Sequence, residues 1–444
     1  MYGPGLQIAA TKSGGAGYAT VPRQRSVRWK SSVMDQLALE PRGTRPSPLT
    51  HVLSVVAAFF GKRLIGRPKK GAVTITYPNG RTATYGDPAT GEHARLNIRN
   101  FSVLTKTLQR GTVGFAQSYI DGDVEIDDLT ALFRYFLQNR DVLDSGENSW
   151  FGRAAQDIAY HLSRSNSKEG SKKNISEHYD LGNDFYVEWL DRSMTYSSAY
   201  YTSEDQPLEA AQYAKYRRVA EMAGVKDGET VLEIGCGWGG FAETVAREFN
   251  AVVYGITLSV EQLKFATERL KRQGLDNLAT LHLEDYRDTK GQFDHVASIE
   301  MIEAVGEEHW PSYFRTVADR LKPGGTAAIQ AITIGEQDFL DYRARPDFIQ
   351  RFIFPGGMLL TESAMKEQGA KVGLILEQVD TFRLSYARTL KLWREKFLDR
   401  WQVIKKLGYT EEFKRKWLYY LAYCEAGFAE GSIDVGIYQY RKPV

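Results

Sequence analysis

The stretch Val231-Leu-Glu-Ile-Gly-Cys-Gly-Trp-Gly-Gly240 says more about the fold than any other part of this 444-residue chain. Its first four residues predict a buried β-strand, the glycine-rich segment predicts a tight turn, and a helical pattern follows from Phe241. Glycines in such a turn allow a sharp bend and the close approach of a ligand to the backbone. The stretch therefore predicts the first strand, turn and helix of a nucleotide-binding α/β sheet.

The glycines alone leave the ligand class open, because their spacing also satisfies the dinucleotide pattern G-x-G-x-x-G. A nicotinamide site would place an acid at the end of the second strand, where this chain has Gly255-Ile256-Thr257. Glu233 lies inside the first strand, where its carboxylate could face a cationic ligand. We therefore predict a site for S-adenosylmethionine, whose amino and sulfonium groups are positive; a nicotinamide site and a structural turn are the alternatives. The predicted contacts of this loop are Glu233, Gly235, Gly237 and Gly239.

A further predicted contact with the cofactor follows the third strand, in Leu283-Glu-Asp-Tyr286. Asp285 could accept a hydrogen bond from an adenine amino group, and Tyr286 could cover the adenine ring. Asp285 could equally cap a helix, since short acidic side chains are favoured there.

Strand and helix patterns alternate from about residue 174 onward, which is typical of a mostly parallel sheet with helices on both faces. We expect a Rossmann-like class I methyltransferase domain with a seven-stranded sheet over residues 174–444. Its helical stretch 387–429 would cap the substrate site. The predicted strands are 230–234, 251–256, 279–283, 293–298, 325–332, 374–379 and 433–440.

The residues before this domain divide into three predicted parts. Residues 1–47 form a basic flexible arm, because the first 33 residues contain five Lys or Arg and no Asp or Glu. Residues 48–145 form a small α+β domain with a role in lipid handling, and residues 146–173 form a linker. The apolar run Val52–Phe60 is too short to span a bilayer, which requires about 20 residues, so it is either a buried or an interfacial helix.

The composition limits the function classes. Apolar residues make up 43% of the chain and charged residues 25%, which excludes global disorder. The 57 Lys and Arg balance 55 Asp and Glu, a net charge of +2 that argues against a general nucleic-acid binder. Two cysteines exclude a disulfide framework, and no paired histidine spacing predicts a metal site.

Four stretches carry a resemblance to a known family: His178-Tyr-Asp-Leu-Gly-Asn-Asp-Phe-Tyr186, Met194-Thr-Tyr-Ser-Ser-Ala-Tyr-Tyr201, the glycine loop with Thr257-Leu-Ser-Val-Glu-Gln262, and Glu300-Met-Ile-Glu-Ala-Val-Gly306. Through them the chain resembles the cyclopropane fatty acyl phospholipid synthase family from about residue 34 to residue 444. The resemblance implies an S-adenosylmethionine-dependent enzyme that methylates the double bond of an unsaturated phospholipid acyl chain. Loss of a proton from the resulting carbocation would close a cyclopropane ring. The resemblance also implies a cytoplasmic protein associated peripherally with the inner face of the membrane.

The resemblance further implies roles for single residues. The base would be a bound bicarbonate, held by the Glu303 side chain, the Tyr386 phenol and the backbone of Ser198 and Ile332. Gln330 stands where bacterial members often have His; it can donate to an oxyanion but cannot change its charge. The implied cofactor contacts are Tyr196, Ser197, Gly235, Gly237, Thr257, Gln262, Asp285 and Ile299.

Two departures from the family pattern allow a second product. They are Gln330 and Ser198, which stands where the family usually has Cys. The carbocation could instead yield a methylated alkene or, with a separate reductase as partner, a methyl-branched chain. A small-molecule methyltransferase and a non-catalytic lipid-binding module are the remaining alternatives. The predicted partner is unsaturated phospholipid in the membrane, a homodimer is compatible with the sequence, and nucleic acid is not expected.

Overall fold

The computed structural model describes residues 68–143, 181–345 and 347–444, which all belong to one compact unit. The predicted basic arm, the run Val52–Phe60, the linker 146–173 and the segment around His178 lie outside these residues. Within the described part of the chain, no helix is both long and apolar enough to cross a bilayer.

A small four-stranded sheet is formed by β1 (Gly71–Thr76), β2 (Thr82–Asp87), β3 (His93–Ile98) and β4 (Val124–Ile126). The strands lie in the order β2-β1-β3-β4. β1 and β2 form an antiparallel hairpin, whose turn is closed by the Gly80 N–H donating to the Tyr77 carbonyl at 2.8 Å. The helices of this part are α1 (Ser102–Ile120), α2 (Leu129–Gln138) and α3 (Arg140–Leu143).

A larger sheet holds seven strands: β5 (Thr230–Ile234), β6 (Val252–Thr257), β7 (Ala279–Leu283), β8 (Phe293–Ile299), β9 (Leu321–Ile334), β10 (Ile375–Thr381) and β11 (Ile433–Arg441). Their order is β10-β11-β9-β8-β5-β6-β7. β11 runs antiparallel to both of its neighbours, and the pairs from β9 to β7 are parallel. The predicted fold class, a seven-stranded and mostly parallel sheet, is confirmed.

Helices cover both faces of the larger sheet. Alternate residues of a strand point to opposite faces, and in β5 Val231 and Leu232 belong to separate apolar clusters with helices of opposite sides. The helices of this part are α4 (Asn183–Trp189), α5 (Leu208–Ala223), α6 (Gly240–Glu248), α7 (Val260–Arg272), α8 (Trp310–Arg320), α9 (Glu336–Ala344), α10 (Phe348–Phe352), α11 (Glu362–Lys371), α12 (Arg383–Lys406) and α13 (Glu411–Glu430).

The helical stretch predicted as 387–429 forms the two helices α12 and α13. The chain reverses at Gly408, whose φ of +102° suits a residue without a side chain, and the Thr410 hydroxyl caps α13. α13 packs against α2, with the rings of Phe133 and Tyr419 4.8 Å apart. The helical pair therefore joins the small sheet to the large one in one continuous apolar core.

Candidate active site

The glycine loop connects β5 to α6 at the carboxyl edge of the large sheet. Gly235, Gly237 and Gly239 all have positive φ, between +51° and +87°, a conformation that favours glycine. Gly240 begins α6, and a β-carbon there would lie 2.5 Å from the Tyr216 hydroxyl oxygen. The pattern of glycines thus follows from backbone conformation and from close packing against α5.

A cavity of about 160 Å³, here called the loop pocket, opens beside this turn. Most of the predicted cofactor residues line it, namely Tyr196, Ser197, Glu233, Gly235, Gly237, Thr257, Gln262, Tyr286 and Ile299. Two predicted residues lie elsewhere: Gly239 is the residue that precedes α6, and Asp285 is not part of the lining. The Asp285 carboxylate accepts a hydrogen bond from Arg287 Nε at 2.8 Å. This bond occupies the carboxylate that we expected to accept a hydrogen bond from adenine.

The loop pocket is lined by a carboxylate suited to a cationic ligand. Glu233 is buried, and its Oε2 atom has no hydrogen-bond partner among the described residues. Burial raises the pKa of Glu233 to about 8, so a cation in the pocket would favour its charged form. The buried Lys215 donates to Ser197 Oγ at 2.7 Å beside the pocket.

Thr257 and Gln262 occupy the position where a nicotinamide site would hold an acid. The Thr257 hydroxyl donates to Gln262 Oε1 at 3.0 Å and accepts from the Ser259 N–H at 3.1 Å. The Ser259 side chain in turn caps α7. The two polar side chains are therefore held rigidly at the wall of the loop pocket.

A second cavity of about 580 Å³, here called the apolar cavity, is lined by helices of the small-sheet part and by helices of the large-sheet part. Its walls come from α1, α2, α10, α12 and α13, and are rich in aromatic rings such as Phe133, Phe348 and Phe428. Tyr196, Glu300 and Ala304 line both this cavity and the loop pocket. The two cavities therefore meet at these three residues.

Glu300 is the centre of the hydrogen bonds at this junction. Its Oε1 atom accepts from the Ser198 N–H at 2.8 Å and from Gln330 Nε2 at 2.7 Å, and its Oε2 atom accepts from the Tyr386 hydroxyl at 2.6 Å. We assigned Glu300 no role from the sequence. A signal was available, because Glu300 directly follows β8, and ligands of such sheets bind at the carboxyl ends of the strands.

Glu303 lies in the next turn and lines the apolar cavity. Its Oε1 atom accepts from the Ile332 N–H at 2.6 Å, and its Oε2 atom has no partner within the described part of the chain. Burial and the neighbouring Glu300 charge raise the pKa of Glu303 to about 8. The site therefore contains two carboxyl groups in different environments.

The structure brings together all five predicted catalytic residues: Ser198, Glu303, Gln330, Ile332 and Tyr386. The bicarbonate that they were expected to hold does not fit this arrangement. Three of its predicted donors already bind the Glu300 carboxylate, and the Ile332 N–H binds Glu303.

Several known proteins are similar to this chain in sequence and in fold. The chain is 37% identical over 393 residues to tuberculostearic acid methyltransferase UfaA1 of Mycobacterium tuberculosis, covering 86% of this chain and 91% of that protein. It is 36% identical over 342 residues to the cyclopropane-fatty-acyl-phospholipid synthase of Escherichia coli K12, covering 77% of this chain and 86% of that protein. The solved structure of mycolic acid cyclopropane synthase CmaA1 complexed with SAH and CTAB is 28% identical, with a TM-score of 0.58 over 61% of this chain and 98% of that chain.

A family model described as mycolic acid cyclopropane synthetase matches residues 166–438. This range includes the glycine loop, both carboxyl groups at the cavity junction and all of the large sheet except its last residues. The resemblance predicted from the sequence motifs is confirmed. The chain belongs to the mycolic acid cyclopropane synthetase family of S-adenosylmethionine-dependent methyltransferases.

Proposed function

We propose that this protein transfers a methyl group from S-adenosylmethionine to the double bond of an unsaturated phospholipid acyl chain and closes a cyclopropane ring. The observation that carries the proposal is the junction of the loop pocket and the apolar cavity at Tyr196, Glu300 and Ala304. A methyl donor in the loop pocket would face an acyl chain in the apolar cavity there, beside a carboxylate.

The apolar cavity suits the acceptor chemistry. An alkene is a weak nucleophile, so alignment and exclusion of water must supply much of the rate. When bound in the loop pocket, S-adenosylmethionine supplies an electrophilic methyl group on its sulfonium sulfur. Attack by the alkene leaves a carbocation on the chain, which electron-rich aromatic faces stabilise. Tyr386 and Phe428, whose rings stack 4.3 Å apart, belong to the cavity wall.

The phospholipid substrate and a location at the inner membrane face are part of this proposal. The relative from Escherichia coli is named for a fatty acyl phospholipid product. α1 and α2 of the small sheet supply one wall of the apolar cavity, which supports the predicted role in lipid handling. Arg140 pairs with Asp338 at 2.8 Å on the same lining, which adds a pair of charged groups to a wall rich in aromatic rings.

The name of one relative supports a second class of product. The 37% identical UfaA1 is named a tuberculostearic acid methyltransferase, not a cyclopropane synthase. In that alternative, the same methyl transfer is followed by formation of a methylated alkene, which a separate reductase would convert to a methyl-branched chain. A bound bicarbonate forms no part of either version, because Glu300 occupies its predicted donors.

The test is incubation of the full chain with vesicles of monounsaturated phospholipid and methyl-deuterated S-adenosylmethionine, followed by mass spectrometry of the released fatty acids. We expect a product that has gained one carbon and two deuteriums and resists ozone, since a ring contains no double bond. An ozone-sensitive product establishes the alkene alternative. Vesicles of saturated phospholipid are the control, and absence of deuterium from all acyl chains refutes the proposal.

A further inference from the structure

The Glu300 carboxylate fills the position at which a small oxyanion was expected. Its two oxygens accept hydrogen bonds from Ser198, Gln330 and Tyr386, at 2.6–2.8 Å. These are three of the groups that the family resemblance assigned to bicarbonate. We propose that Glu300 is the internal base of this enzyme and replaces bicarbonate as the acceptor of the proton that the methylated chain loses. This inference rests on the proposed function.

The geometry leaves Glu300 able to accept a proton. Oε1 accepts two hydrogen bonds, but Oε2 accepts one, from the Tyr386 hydroxyl, and keeps a second lone pair. Glu300 lines both the loop pocket and the apolar cavity. The carboxylate is therefore adjacent to the place where the transferred methyl group enters the acyl chain.

The backbone at Glu300 is held in an unfavourable conformation. Its φ is +50°, in the left-handed region that side chains disfavour and glycine adopts freely. Such outliers persist where the surrounding structure over-determines them, and they concentrate at functional sites. Three hydrogen bonds to one carboxylate supply that constraint. A glycine here would relax the backbone and leave three converging donors free to bind a small anion.

The two carboxyl groups of the site have different partners. Glu300 accepts three hydrogen bonds and interacts electrostatically with the buried Lys215 side chain, whereas Glu303 accepts one hydrogen bond from a backbone N–H. Burial raises the pKa of both groups, and the three donors and Lys215 oppose that rise at Glu300. The charged form is therefore better stabilised at Glu300 than at Glu303, which makes Glu300 the better placed of the two to accept a proton.

The proposed step balances without a further reactant. The alkene electron pair forms a carbon–carbon bond to the methyl group, the sulfonium carbon–sulfur bond breaks, and neutral S-adenosylhomocysteine results. Glu300 Oε2 then takes a proton from the transferred methyl group, and the electrons of that carbon–hydrogen bond close the ring onto the cation. The neutral Glu300 carboxyl group returns its proton to water after the products leave.

The test compares the wild-type full chain, Glu300→Gln and Glu300→Gly in buffer depleted of carbon dioxide, with and without added sodium bicarbonate. Product is measured as deuterium in the acyl chains of monounsaturated vesicles. We expect wild-type turnover to be independent of bicarbonate. Glu300→Gln should lose about 100-fold or more in either buffer, the range typical for a general base. Glu300→Gly should be inactive without bicarbonate and regain turnover when bicarbonate fills the vacated space.

The controls separate this inference from the proposed function and from misfolding. Calorimetric binding of S-adenosylhomocysteine shows that each variant is folded, and Glu268→Gln, on the exposed side of α7, is the matched surface variant. Absence of any product from the wild type refutes the proposed function. Product that forms from the wild type only with bicarbonate overturns the role of Glu300, as does an active Glu300→Gln. A folded Glu300→Gly that bicarbonate does not rescue counts against the proposed anion site.

Discussion

Glu303→Gln should make the stability of the protein less dependent on pH. The Glu303 carboxyl group accepts one hydrogen bond, from the Ile332 N–H at 2.6 Å. Burial and the Glu300 charge raise its pKa from the ordinary value of 4.5 to about 8. Between these values the folded protein holds a proton at Glu303 that the unfolded chain releases. Glutamine has nearly the same shape, and it does not titrate.

The magnitude follows from linkage between proton binding and folding. Because the folded state binds more protons, the free energy of unfolding of the wild type falls as pH rises, by about 1.4 kcal/mol per pH unit. The fall begins near pH 4.5 and ends near pH 8, so the full stability is present only at acidic pH. Between pH 6 and pH 8 the wild type should lose at most about 2 kcal/mol relative to Glu303→Gln. The other titrating groups are common to both proteins and cancel in the difference.

The assay is urea unfolding at pH 6, 7 and 8, followed by tryptophan fluorescence, without cofactor or lipid. The free-energy difference between wild type and Glu303→Gln should grow with pH. Glu268→Gln, at an exposed position of α7, should show a constant difference from the wild type over the same range. A constant difference for Glu303→Gln would show that Glu303 does not hold a proton in the folded state, and the reasoning about its burial would be wrong.

Three further predictions concern the same site. Gly240→Ala should lower the free energy of unfolding by about 1–3 kcal/mol, because the new β-carbon would meet the Tyr216 hydroxyl at 2.5 Å; unchanged urea denaturation would contradict this. Tyr386→Phe removes a hydrogen bond of 2.6 Å to Glu300 and should reduce turnover about tenfold or more, with unaltered calorimetric affinity for S-adenosylhomocysteine; weakened binding alone would contradict its role. Burial lowers the pKa of Lys215 to about 7, so Lys215→Met removes a cation beside Glu300 below that pH; it should cost about 3 kcal/mol of stability at pH 6, and a stabilised protein would contradict the pairing of Lys215 with Glu300.

Helices and strands could be predicted from the sequence where local residue patterns determine them. The strand 230–234 has the bounds that its apolar pattern predicted, and α6 follows the glycine loop as expected. The Thr257 and Gln262 pair is separated by five positions, so a strand end and the next helix suffice to bring it together. The break near Gly408 was missed, because helical periodicity continues on both sides of it and the reversal depends on packing of α12 against α13.

The sequence by itself determined the fold class, the family and most of the loop pocket, because glycine conformation and apolar periodicity act over a few neighbouring residues. Only the tertiary structure decided what the catalytic donors bind. Ser198, Gln330 and Tyr386 are 102, 30 and 86 positions away from Glu300. Side chains this far apart in the sequence come into contact only after strands, loops and helices have packed against one another. For the same reason, Glu300, a carboxylate to which no role was assigned from the sequence, lies at the centre of the site.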